Sequence, residues 1–153
     1  MRTLNNMRTV GLALVMSFIT FTPLKAESLA ENANRGLAVW ECAAFAQLAG
    51  LKESEELFTA GYENLKPAYD LKSKGLLTED DEASLHMIVK LAFGGPSPDF
   101  MLGVLWDRTH HIAGQSVTGE NWSELNSSQR ELRQEAKATS LFYALNCEQL
   151  LTN

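Results

Sequence analysis

The densest set of side chains able to do chemistry is Asp107, His110 and His111. On a helix, spacings of three and four put Asp107 on one face with both histidines. Bundle metal sites do use a carboxylate and a histidine three residues apart, projected inward. Those sites repeat the pair on a second helix and add further carboxylates, whereas this chain has a single D-x-x-H. The plainer reading is a polar helix end, where histidines suit the negative pole of the helix. Asp107, His110 and His111 are therefore kept as an alternative site, for a small envelope enzyme or a metal-binding protein.

A second candidate is LAFGGPSPDFMLG, Leu91 to Gly103. Glycines before a helix start can cradle a phosphate, using the free N–H groups and the positive end of the helix. Here Ser97 reads as the N-cap, with Pro98 at the first helical position and Asp99 at the second. Proline has no N–H to offer, and Asp99 puts a negative charge where the anion would sit. The stretch is helix punctuation. Gly114-Gln115-Ser116-Val117-Thr118-Gly119 likewise misses the spacing of a nucleophile elbow, and no strand precedes it. No catalytic residue and no cofactor is expected, and the chain reads as more in keeping with a binding protein than an enzyme.

Gly114 to Ser127, GQSVTGENWSELNS, reads as one long polar connection, and loops of that length are often functional. Trp122 is its large side chain. With Glu120 and Glu124 it would form an anchor with an acidic rim, suited to a basic partner. The competing reading has Trp122 pinning the loop to the core.

Cys42 and Cys147 are the two cysteines, 105 positions apart. They lack C-x-x-C spacing and a histidine beside them, so a structural disulfide is expected in place of a redox or zinc site.

The elements that must position these residues begin after a leader. Residues 1–26 carry Arg2 and Arg8, then the apolar run VGLALVMSFITF, then Pro23 and Ala26. That is the pattern of a secretory signal, with Met1 or Met7 as the start, a segment expected to be cleaved and to take no part in the fold. Residues 27–153 are expected to be a single helical domain, periplasmic or secreted. Removing Arg2, Arg8 and Lys25 leaves ten basic residues against nineteen acids, a net charge of −9. That charge argues against nucleic acid and against membrane binding once the leader is gone, and it favours a basic partner.

The periodicity is helical throughout, which predicts an all-α bundle of about five helices, closed by a disulfide between the first and the last. Ser28 and Glu31 form a capping box for the first helix, which carries Leu37, Trp40, Ala44, Leu48 and Leu51 and ends at Gly50. The second opens at Ser54 and runs to Gly75, with Pro67 predicting a kink or restart near Asn64. Thr78 caps a third, TEDDEASLHMIVKLAF, with Leu85, Ile88, Val89 and Ala92 inward. A fourth spans Pro98 to about Ile112. The fifth starts after Ser128 with Glu131 in its cap, and puts Leu132, Ala136, Tyr143, Cys147 and Leu150 on one face.

WECAAFAQLAG, ELFTAGYENLK, GGPSPDFMLG and FYALNCEQLL together resemble a group of small exported proteins of Gram-negative bacteria and their phages. In architecture the chain is similar to periplasmic immunity proteins and to the spackle-type lysozyme inhibitor, which are also small, helical and exported. The resemblance implies export and a compact helical domain, and it carries no functional residue across. Charge and resemblance together give the expectation of a periplasmic protein-binding module, of the immunity or inhibitor kind, for a basic envelope enzyme or toxin. A self-associating structural or assembly factor is the further alternative.

Overall fold

Ser28 starts the first helix as its capping box requires. Its hydroxyl accepts from the Glu31 N–H at 3.2 Å, and the Glu31 carboxylate accepts from the Ser28 N–H at 2.7 Å. In this computed structural model, which describes residues 27–151, helix α1 spans Leu29–Leu48. It is followed by α2 (Ser54–Ser73), α3 (Glu79–Ser84), α4 (Met87–Leu91), α5 (Pro98–Val117) and α6 (Ser127–Ala144). Two 3-10 turns, Trp122–Glu124 and Cys147–Leu151, flank α6, and the described residues contain no strand. The leader expected over residues 1–26 lies outside the described residues.

Helix α1 is the core element. Ala43, Ala44, Phe45 and Ala46 are consecutive and all buried, so other parts of the chain cover it on every side at that level. It packs mainly along α2, and small residues let the two backbones meet. The Gly61 position faces the Trp40 indole, and a Cβ there would stand 3.0 Å from the Gly36 carbonyl. The Trp40 indole N–H donates to the Phe58 carbonyl at 2.8 Å, fixing the ring against α2. Glycines close both helices: Gly50 and Gly75 take φ of +65° and +67°. The next residues, Leu51 and Leu76, donate back to the Ala46 and Leu71 carbonyls at 2.9 Å. Pro67 neither ends nor restarts α2, which is continuous from Ser54 to Ser73.

The structure departs from the sequence reading in three places. The expected third helix is two, α3 and α4, parted by Leu85 in an extended conformation. Asn34 of α1 causes the break to hold. Its side-chain amide donates to the Ser84 carbonyl at 3.0 Å, and its side-chain oxygen accepts from the His86 N–H at 2.7 Å. The backbone groups that helix bonds would have used are thereby satisfied. Leu85 turns into the core, and His86 caps α4, its Nδ1 accepting from the Ile88 N–H at 3.3 Å. Ile88 is only half-buried, unlike Val89 and Ala92.

Second, α5 continues past Ile112 to Val117. Ala113 and Val117 extend the buried ladder Met101, Leu105 and Thr109, so burial outweighs the weak helix preference of Gly114 and Ser116. The polar connection shrinks to residues 118–126.

Third, Asn126, not Ser128, caps α6, pairing with Gln129 in a capping box of its own. The inward residues of α6 are Ala138 and Phe142, while Leu132 and Tyr143 are 67% and 50% exposed. Cys147 is buried because Asn146, at φ 55°, turns the chain inward after the helix has ended. The Cys42–Cys147 disulfide then joins α1 to the turn that follows α6, with 5.5 Å between Cα atoms.

Candidate functional site

The residues singled out by sequence are not gathered in one place. Asp107 and His111 share an outer face of α5, and the His111 Nε2 lies 3.0 Å from the Gln115 side-chain nitrogen. His110 leans the other way, its ring 5.8 Å from that of Trp106. The i,i+4 pairs Asp107–His111 and Trp106–His110 thus split the cluster between two faces. Among the described residues, no group of three or more His, Cys, Asp or Glu side chains stands together so as to hold a metal ion.

Ser97 accepts from the Phe100 N–H at 3.2 Å, so the Gly-Pro stretch is a capped helix start. The Asp99 carboxylate there accepts from the Tyr62 hydroxyl at 2.7 Å, and that bond holds its carboxyl below the usual range. Lys66 stands 3.6 Å away and adds to the effect. The junction ties α5 to α2.

Trp122 is half-buried, and Glu120 and Glu124 are exposed. Arginines of α6 hold this loop by its backbone. Arg130 donates to the Trp122 and Ser123 carbonyls at 3.0 and 3.1 Å, and Arg133 donates to the Glu120 carbonyl at 3.0 Å. Among the described residues, neither Glu120 nor Glu124 forms a side-chain ion pair.

A different residue has the more unusual setting. Glu41 sits in the middle of α1, four residues from buried Leu37 and four from buried Phe45. Its half-buried carboxyl opens into a pocket of about 250 Å³. The walls are Phe45, Ile88, Ile112, Ala113 and Leu145, with the Thr109 and Ser116 hydroxyls among them. Across the Ile88–Ile112 ridge lies a second hollow of about 270 Å³, bounded by Leu91, Asp107, Arg108 and His111. Together they form a groove whose apolar rim is open: Leu91 is 59% exposed, Leu145 51% and Ile112 44%. The apolar area of α4 thus continues onto α5 and the end of α6.

Burial pushes the Glu41 carboxyl above its ordinary range, and the positive influence of His86 only partly offsets this. Among the described residues the Glu41 side chain has no hydrogen-bond partner. The sequence carries one signal for it. An acid at position 41 interrupts the apolar positions 37, 45 and 48 of one helix face. No family model, curated protein or solved structure matches the chain. The site's chemistry therefore rests on its own geometry.

Glu41 should lower the stability of the folded protein, and the effect has a definite pH dependence. A folded-state carboxyl raised above its ordinary value near 4.5 binds its proton more tightly than the unfolded chain does. The penalty is absent below about that pH, where both states are protonated, and is complete above the raised value. Glu41→Gln is expected to stabilise the protein at pH 7, though modestly, because solvent still reaches the group. Denaturant titrations at pH 7 and pH 4 test this. The gain at pH 7 should vanish at pH 4, and equal stabilities at both values would rule out the desolvated carboxyl.

Proposed function

We propose that this is an exported, periplasmic protein-binding module of the immunity or inhibitor kind, acting on a basic envelope enzyme or toxin. The observation that carries the reading is the open apolar groove around Ile88 and Ile112, with the unpartnered Glu41 carboxyl at one end and Asp107 at the other. Apolar side chains exposed side by side and edged by polar groups are the usual mark of a protein-binding surface. The net charge of residues 27–153 supports a basic partner, since opposite charge speeds association and enforces partner choice more than it adds affinity. No helix among the described residues is long and apolar enough to cross a membrane. The disulfide and the heavily buried α1 give the groove a rigid base, which lowers the ordering cost of binding. The groove fits this role better than the Glu120, Trp122 and Glu124 loop, because it offers contiguous exposed apolar surface.

The test is capture from envelope extract by immobilised, oxidised residues 27–153, comparing Ile112→Asn with Trp122→Ala. A basic protein should be held at low salt, released as salt rises through the physiological range, lost with Ile112→Asn and retained with Trp122→Ala. Capture that survives Ile112→Asn would remove the groove from the binding surface. Capture indifferent to salt would remove the charge argument.

A further inference from the structure

The pocket at Glu41 has a property beyond being apolar and open: each of its identified polar side chains can only accept a hydrogen bond. The Thr109 hydroxyl spends its proton on the Leu105 carbonyl at 2.9 Å, and the Ser116 hydroxyl spends its own on the Ile112 carbonyl at 2.9 Å. Both oxygens therefore present lone pairs to whatever else approaches them. The Glu41 carboxylate, when ionised, is acceptor-only as well. Around these stand the hydrocarbon walls of Phe45, Ile88, Ile112, Ala113 and Leu145.

A neutral apolar group in this pocket would bury the Glu41 charge further without pairing it, and an anion would be repelled. A group that only donates, on an apolar stem, matches both the acceptors and the walls. Among side chains, arginine and lysine are donor-only, and both lay a methylene stem along apolar surface while their charged head seeks a polar partner. Arginine suits a partly buried carboxylate better, because its guanidinium is more weakly hydrated and binds a carboxylate through two parallel N–H groups. The neighbouring ring that acts on Glu41 is that of His86, whose Nδ1 accepts from the Ile88 N–H, so the imidazole is held by its role as a helix cap.

We propose that the Glu41 pocket receives a single arginine side chain of the partner protein, its stem along Ile88, Ile112 and Leu145 and its guanidinium on the Glu41 carboxylate. This rests on the groove being the docking surface, and it assigns that groove its specificity-determining residue. The charge complementarity is local as well as global: an acid without a hydrogen-bond partner, in a chain of strongly negative net charge, faces a basic partner.

The experiment uses n-butylguanidinium as the probe and n-butylurea as its neutral counterpart of like shape. Each is titrated into oxidised residues 27–153 and into Glu41→Gln, following backbone and methyl resonances by NMR. Butylguanidinium should give saturable shifts centred on Glu41, Ile88, Ile112 and Ser116, and it should lower the Glu41 pKa. Butylurea, or butylguanidinium with Glu41→Gln, should bind at least tenfold more weakly. The proposal is overturned if butylurea binds as well as butylguanidinium, or if Glu41→Gln leaves binding unchanged. Glutamine preserves the shape of the side chain, and the spectrum of the variant shows whether the fold is kept. If Ile112→Asn abolishes partner capture while the probe shows no charge preference, the docking surface stands and the arginine pocket fails. If the probe behaves as expected but capture ignores Ile112→Asn, the pocket binds guanidinium groups but the docking reading fails, and the partner's arginine fails with it.

Discussion

Replacing both Cys42 and Cys147 with alanine should remove about 4–5 kcal/mol of stability, the largest effect expected of any change to this protein. The bridge closes a loop of 105 residues, and the entropy it takes from the unfolded chain rises with the logarithm of that length. Both sulfurs are buried in the same apolar cluster as Val39, Phe45, Leu57 and Phe142, so breaking the bond also leaves two small apolar gaps once the sulfurs are gone. The physical consequence is uneven. Few residues of α6 are buried, Ala138 and Phe142 being the two fully covered, so this helix depends on the bridge far more than α1 or α2 does. Thermal unfolding of the double variant should show a midpoint lower by roughly 10–20 °C. Hydrogen exchange should show α6 losing protection first. A midpoint within a few degrees of the parent would mean that the unfolded chain is already compact enough to bring the two ends together.

The second large effect is expected from one methyl group. A Cβ at position 61 would lie 2.2 Å from Trp40 Cδ1 and 2.8 Å from its Nε1. The indole cannot retreat. It is 1% exposed, donates to the Phe58 carbonyl, stacks on the Phe58 ring at 5.4 Å and meets the Trp106 ring edge-on at 5.5 Å. Alanine is the better helix former by about 1 kcal/mol, but overpacking a fixed aromatic ring opposes that gain. Gly61→Ala should therefore destabilise the protein by about 2–3 kcal/mol net. Gly103→Ala is the control, since a Cβ in that part of α5 meets nothing within 4 Å. It should stabilise by about 0.5–1 kcal/mol, so the two Gly→Ala changes carry opposite signs. Denaturant midpoints of the two variants decide it, and a neutral Gly61→Ala would show that α1 and α2 can part without loss.

The sequence by itself determined the helical class, the capping of α1 by Ser28 and of α5 by Ser97, the turns at Gly50 and Gly75, and the pairing of two distant cysteines. All of these rest on local chemistry or on counting: a hydroxyl three residues before a free N–H, a glycine where φ must be positive, two thiols and no other partner. Tertiary structure decided the features that need a residue far away in the chain. Asn34 splits the expected third helix by reaching across about fifty residues to Ser84 and His86. Ala113 and Val117 prolong α5 because the apolar cluster around Cys42, Cys147 and Phe142 is there to bury them. Cys147 turns inward past the end of α6 to meet Cys42 of α1, which no helical period could foresee.

The same division runs through the candidate site. Position 41 could be read from the sequence as an acid on an apolar stripe. That its carboxyl opens between Ile88, Ile112 and Leu145, beside hydroxyls already committed as donors, follows only from packing α4, α5 and the end of α6 against α1. A one-dimensional pattern shows where a charge is out of place. Only the packed chain shows what surrounds that charge, because desolvation and hydrogen-bond direction depend on neighbours that the sequence does not place.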